Sequence, residues 1–190
     1  MTPLETVADW IEEARRAGAT EPEAMALATA TPGGVPSVRI VLCRGVDARG
    51  IRFFTNYESR KGGELDRNPH AAAAFHWPEL RRQARLEGPV ERLGAAESDA
   101  YFDARPRGHQ LSAWASAQSR PIGSADELRR RMAELTERYE GRVVPRPPYW
   151  GGYLLRATAV ELWTHGVDRL HDRLRHELRD GVWTAQRLSP

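Results

Sequence analysis

The chain has 190 residues, 41% of them apolar, with 28 basic against 26 acidic side chains and a formal net charge of +2; this suffices for one well-cored domain, is short for two, and gives no basic excess that would imply a nucleic-acid partner. Its one cysteine, Cys43, excludes an intrachain disulfide, and no Cys/His spacing suggests a zinc site. No apolar run approaches bilayer length and no signal-peptide core follows Met1, so we expect a soluble, cytoplasmic protein without membrane partners. Thr2-Pro3 followed by Leu4, Val7, Ala8, Ile11 and Ala14, closed by Gly18, predicts an amphipathic helix over 1–18 that packs outside the main core. Short strands follow over Met25 to Thr31 and Ser37 to Arg44. In the second, Val38, Ile40 and Leu42 alternate with Arg39, Val41 and Cys43, which puts Arg39 on the face opposite the apolar set. Asp47-Ala48-Arg49-Gly50 is a turn into a third strand through Ile51 to Thr55, and Ser59 is an N-cap for a short helix ending near Asn68.

His70 to Trp77 and Gln83 to Arg92 read as strands, while Ala95 to Ala104, Gln110 to Gln118 and Ala125 to Glu140 read as helices. After the stiff Pro145-Arg146-Pro147-Pro148 connector come a strand from Trp150 to Thr164, another from Arg169 to Leu178, an Asp180-Gly181 hairpin turn and a last strand through Trp183 to Leu188. Antiparallel strands at hairpin spacing, with helices inserted rather than alternating, predict an α+β, mainly antiparallel β chain: one domain over 1–190, a small β-barrel with peripheral helices. A dinucleotide-binding sheet fails for want of a glycine fingerprint.

Three clusters could carry chemistry. The chain has 27 arginines and a single lysine, Lys61. Lys61 sits beside Arg60 in the first turn of the helix capped by Ser59, where free N–H groups and the helix dipole favour an anion such as phosphate. Arg39 and Arg44 lie on the preceding strand, and a strand-to-helix neighbourhood could bring Arg39 to the same anion. The competing reading is arginines in surface ion pairs. Tyr101 and Arg105 stand four apart and could share a pocket or, as a helix-end pair, face solvent. Finally, Arg169, His171 and Arg173 share one face of the expected strand, which calls for a polar partner or ligand. His171 and His176 are five apart, unsuited to joint metal binding.

Together these stretches resemble the pyridoxamine 5′-phosphate oxidase family. The resemblance rests on Arg39-Ile40-Val41-Leu42, Phe54-Thr55-Asn56, Ser59-Arg60-Lys61, Arg82-Gln83, Tyr101-Phe102 with Arg105-Pro106-Arg107, Ala113 to Ser116 with Gln118-Ser119, and Arg169-Leu170-His171-Asp172-Arg173 through to Pro190. It implies an FMN-binding split β-barrel acting as a homodimer, with flavin sites at the subunit interface and the strands of 145–190 completing them. It implies that Arg39, Arg60 and Lys61 hold the FMN phosphate with Ile40, Val41 and Leu42 alongside, that Phe54 and Thr55 line the flavin on that side, and that Gln83, Gln118, Ser119, Trp163 and Arg173 complete the cofactor site. Arg44, Tyr101, Arg105 and His109 fall where the family binds the substrate phosphate, and Arg169 and His171, the catalytic pair, where it contacts the pyridine ring. The implied reaction oxidises pyridoxamine 5′-phosphate or pyridoxine 5′-phosphate with O2 to pyridoxal 5′-phosphate and hydrogen peroxide.

The chain departs from the family pattern at Arg44, usually Lys, at His109, usually Ser, and at Phe54, commonly Tyr. Little of the family's N-terminal arm is expected before Thr2. Two rivals remain at this stage: a paralogous flavin oxidase of the same fold acting on another substrate, such as a reduced phenazine, and a non-catalytic protein that binds FMN or pyridoxal phosphate.

Overall fold

The computed structural model describes residues 1–190 as ten strands and five α-helices. In chain order these are α1 (Pro3–Arg16), β1 (Ala24–Ala30), β2 (Pro36–Leu42), β3 (Val46–Asp47), β4 (Gly50–Asn56), α2 (Arg60–Arg67), β5 (His70–Trp77), β6 (Arg82–Arg92), α3 (Ala95–Asp103), α4 (Arg107–Ala115), α5 (Ala125–Arg138), β7 (Trp150–Leu155), β8 (Ala159–Thr164), β9 (Asp172–Arg179) and β10 (Val182–Arg187). All pairings are antiparallel. One path runs β10-β9-β8-β6-β5-β1-β2, and a second branch leads from β6 through β7 to β4 and β3.

The branch explains why the expected single strand from Trp150 to Thr164 is two. Strand β6 pairs with β8 over Arg82–Glu87 and with β7 over Val90–Arg92, so the chain leaves one sheet and enters the other across Arg156-Ala157-Thr158. At the changeover Arg156 N–H donates to Pro89 O at 2.8 Å and Thr158 N–H to Glu87 O at 2.9 Å. Gly88 lies between these acceptors, and a Cβ there would stand 1.9 Å from the Arg156 carbonyl oxygen. Gly88→Ala is expected to cost about 1–3 kcal/mol by overpacking, read as a fall of roughly 3–10 °C in the thermal midpoint. Gly108→Ala in α4, where the added methyl meets no atom within 4 Å, is the control. Equal melting of the two variants would refute the account.

The N-terminal helix does not pack outside the core. Its Thr2 capping box and Pro3 start it as expected, but Leu4, Val7, Trp10, Ile11 and Ala14 are buried with Met25, Phe53, Phe75 and Trp77 in the main cluster. Trp10 packs edge-on against Trp77 at 6.2 Å, and Trp77 Nε1 donates to Pro22 O. A smaller cluster of Phe102, Leu111, Ala113, Val144 and Trp150 lies under α3 and α4.

On β2 the arginine face turns inward and the apolar face outward: Val38 and Ile40 are 68% and 65% exposed. The surface continues sideways, since Ala28 lies opposite Val38 and Ala72, and Ala26 opposite Ile40 and Ala74. It is a shallow alanine sheet face, bounded on β6 and β8 by Arg85 and Glu161.

Candidate active site

Helix α2 begins as read, with Ser59 Oγ accepting the Gly62 N–H. Lys61 does not project into solvent. It is 7% exposed, and its ammonium donates to Thr55 Oγ1 and Gln118 Oε1, each at 2.9 Å, and to Ser59 Oγ at 3.4 Å. All three partners are uncharged. Burial, reinforced by Arg39, therefore pushes the ammonium down to about 8.

Beside it, Arg39 donates to Leu27 O at 3.1 Å, to Thr29 Oγ1 at 2.6 Å and to Ser37 Oγ. Its charge faces Glu64, 3.5 Å away, which is 2% exposed. Glu64 also accepts from Thr29 and Ser37, each at 2.5 Å, and from Arg60 Nε at 2.9 Å. Burial alone would raise this carboxyl, but those hydrogen bonds and the Arg60 charge outweigh it and hold it at about 2. Arg39 and Arg60 thus flank one ionised carboxylate, and with Lys61 close enough to Arg39 to feel its charge the cluster holds three cations against one anion, a local excess of two positive charges. A phosphate monoester of about −1.5 to −2 matches that excess. Sequence reasoning missed Glu64, whose signal was its place four residues after Arg60 on one helix face.

Phe54 and Thr55 follow each other on β4 and leave it on opposite faces, so their side chains do not line one side together. Thr55 meets Lys61 and Gln118. Phe54 stacks on Tyr101 with centroids 3.8 Å apart and planes 14° from parallel, and lies 5.7 Å from Trp150. Arg105 is no solvent-facing helix-end residue: its Cζ stands 4.5 Å over the Trp150 ring, and its Nη1 is shielded from solvent without any hydrogen-bond partner. Burial lowers its pKa and the nearby Arg44 adds to this, against an opposing pull from Tyr101. An orphaned guanidinium N–H beside a phenol and a second guanidinium is a site with the chemistry to take an anion. His109 lies exposed in the first turn of α4.

The third cluster forms at the β6-β8-β9 end. Gln83 lies opposite Trp163, and Trp163 opposite Arg173, in one row across three strands. Arg173 Nε donates to Glu161 at 2.8 Å and its Nη1 to Ser189 O at 3.0 Å; Glu161, 3% exposed, also takes Arg85 at 3.3 Å. The expected strand face of Arg169, His171 and Arg173 does not exist, because β9 starts only at Asp172. Arg169 ends a 3₁₀ turn (Val167–Arg169) with φ at +65°, and His171 packs on Trp163 with centroids 4.5 Å apart. A Gly166-bearing loop carries these residues where alternation suggested a strand. Ser119, with φ at +67°, lines a cleft of about 970 Å³ together with Ser59, Arg60, Arg67 and Tyr149.

A family model described as pyridoxamine 5′-phosphate oxidase matches residues 11–139, and a second, described as the pyridoxine 5′-phosphate oxidase C-terminal dimerisation region, matches residues 150–190. The chain belongs to the pyridoxamine 5′-phosphate oxidase family of FMN-dependent oxidoreductases. It is 54% identical over 188 residues to a pyridoxine/pyridoxamine 5′-phosphate oxidase of Rubrobacter xylanophilus, covering 99% of this chain and 87% of that protein. It is 53% identical to one of Bordetella pertussis over 191 residues, covering 100% and 90%. Among solved structures, PhzG from Burkholderia lata in complex with tetrahydrophenazine-1-carboxylic acid superposes with a TM-score of 0.94 at 35% identity, covering 99% of this chain and 92% of that one. These relatives bear out the split barrel expected from sequence. No helix is long and apolar enough to cross a membrane.

Proposed function

We propose that the chain oxidises pyridoxamine 5′-phosphate or pyridoxine 5′-phosphate at the exocyclic carbon, with FMN as cofactor and O2 as acceptor, giving pyridoxal 5′-phosphate and hydrogen peroxide; with the amine, water then adds to the oxidised carbon and ammonia leaves. The observation that carries this reading is the orphaned Arg105 Nη1 beside Tyr101 and Arg44, a second anion site separate from the one around Lys61. One phosphate site serves the cofactor and the other the substrate. A carboxylated phenazine, as held by PhzG, would bring to the two guanidiniums of the second site a singly charged carboxylate where a phosphate monoester brings nearly two charges, and identity to the B6-vitamer oxidases exceeds identity to PhzG.

The fit to FMN rests on the buried Lys61, whose three partners are all neutral, and on the uncompensated charge it shares with Arg39 and Arg60. Bound FMN supplies a two-electron acceptor for hydride from the substrate carbon and returns those electrons to O2. The residues of the chain orient the reactants. Arg39, Arg60 and Lys61 hold the cofactor phosphate with the β2 residues Ile40, Val41 and Leu42 alongside and Thr55, which meets Lys61, next to it; Phe54, on the other face of β4, lines the flavin toward Tyr101. Gln83, Gln118, Ser119, Trp163 and Arg173 complete the cofactor's surroundings. Arg44, Tyr101, Arg105 and His109 hold the substrate phosphate while Arg169 and His171 fix the pyridine ring, so that the reacting carbon faces the acceptor.

In one chain these groups do not converge. Strands β2 and β8 are four strand spacings apart along the sheet, about 19 Å, with β1, β5 and β6 between them. We infer that a homodimer completes each site. A second copy would also cover Val38, Ile40 and the alanine face, along with Val167 and Leu170, which are 78% and 73% exposed in the Arg169 loop.

The test is peroxide release and pyridoxal phosphate absorbance from FMN-loaded protein given pyridoxamine 5′-phosphate, with pyridoxamine alongside. Phosphate-dependent turnover is expected, and equal rates on the two amines would discard the clamp. A pH effect follows from Lys61. A bound phosphate raises its pKa above the free-protein value of about 8, so binding takes up a proton above that pH. FMN affinity is expected to fall as pH rises past 8, by up to about tenfold per unit, in fluorescence titrations; a flat profile to pH 9 would contradict it.

A further inference from the structure

The Arg169 loop is held by a hydrogen bond that no side-chain motif encodes. The Gly166 amide N–H donates to His171 Nδ1 at 3.2 Å. An imidazole nitrogen that accepts a backbone N–H carries no proton, so the proton of the neutral ring sits on Nε2. We propose that Gly166 is a positioning residue for the oxidase: its amide fixes the tautomer and plane of His171, leaving Nε2–H as the ring's free donor toward the substrate. This rests on the reading of His171 given under Proposed function.

The loop is built for that one contact. His165 N–H is tied to Arg81 O at 3.0 Å, Leu170 N–H to Val167 O at 3.0 Å, and His171 N–H to Arg169 O at 2.9 Å. Between them Asp168 and Arg169 both adopt positive φ, +52° and +65°, a conformation that L-residues disfavour. The chain therefore doubles back within five residues and brings Gly166 against Leu170. Gly166 itself has φ −117° and ψ 151°, which any residue adopts. What demands glycine is space, because a Cβ would stand 1.9 Å from the Leu170 carbonyl oxygen and 3.1 Å from His171 N. Glycine at this position is thus a requirement of the approach that makes the bond. On its other side the imidazole is backed by Trp163 at 4.5 Å and faces His165 at 5.5 Å, so the ring plane is gripped as well.

The experiment reads the imidazole nitrogens directly. Nitrogen-15 correlation spectra of the FMN-loaded protein, with His171 assigned by its loss in His171→Gln, are expected to report an unprotonated Nδ1 and a protonated Nε2. The opposite tautomer overturns the proposal. Gly166→Ala is expected to mix the two tautomers and lower kcat on the order of 10- to 100-fold with FMN occupancy unchanged; a variant with wild-type nitrogen pattern and kcat overturns it. If that variant does not fold, a side-chain pair decides: Gln presents an N–H near the Nε2 position and Asn near the Nδ1 position. His171→Gln is expected to retain about tenfold more kcat than His171→Asn, and the reverse order overturns the proposal. Absence of wild-type turnover on pyridoxamine 5′-phosphate would instead remove the proposed reaction, while the tautomer would still be read from the spectra.

Discussion

Arg169→Leu is expected to lower turnover of pyridoxamine 5′-phosphate by about 100-fold or more while the purified protein keeps its full complement of FMN. The two effects separate because, in the proposed site, Arg169 meets the pyridine ring from the tip of its loop, while the FMN phosphate is held by Arg39, Arg60 and Lys61. Leucine preserves bulk and removes only the guanidinium. The positive φ at this position is awkward for either residue, so the substitution adds little backbone cost beyond what arginine already bears. Steady-state kinetics against flavin absorbance decides the matter. Wild-type kcat would take Arg169 out of the mechanism, and loss of FMN would move it from the substrate side to the cofactor side.

The second large effect concerns Lys61→Met and has opposite signs for binding and for stability. Folding lowers the lysine pKa from 10.5 to about 8, so the fold penalises the charged form. The penalty is full below about pH 8, where both folded and unfolded chains are protonated, and it fades as pH rises toward 10.5. Methionine fills the same channel without charge, and Thr55 Oγ1 and Gln118 Oε1 still pair at 2.8 Å. The FMN-free variant should therefore melt at or above the wild-type temperature at pH 7, while its FMN affinity falls roughly 10- to 100-fold. A variant that melts lower yet binds FMN normally would show that the lysine serves the fold rather than the cofactor.

What could be read from sequence was set by how local its causes are. The Ser59 cap, the hairpin at Asp180-Gly181 and the alternation of β2 depend on neighbouring residues, and all appear where expected. The errors arose where a distant segment decides. Whether the amphipathic helix α1 covers the core or lies apart depends on Trp77, far along the chain, offering it an edge. The apolar run from Trp150 to Thr164 has no internal break signal, because its interruption is imposed by Gly88 on β6. Arg169 and His171 stand out in the sequence through a period-2 alternation that assigns them to a strand, and the resemblance adds their role. The positive φ of Asp168 and Arg169, neither of them a glycine, gave no local warning of a loop. Likewise, the buried Glu64 that balances Arg39 and Arg60 had only its helical spacing to announce it.

The strand that carries Phe54 and Thr55 also sets the order in which the molecule can be made. Apart from the two-residue β3, the partner of β4 is β7, with Ile51 paired to Leu155 and Asn56 to Trp150. At about 5–20 residues per second during synthesis, β4 waits on the order of 10 s with one edge unpaired, and β6 waits for β7 and β8 alike. Contacts of such long range make closure slow, and the exposed edges of β4 and β6 are then the segments most available to chaperones or to neighbouring nascent chains. A chain arrested after α5 would lack every strand that joins the two branches, so β4 would stay without its long partner and Arg105 without the Trp150 ring until synthesis had passed β7.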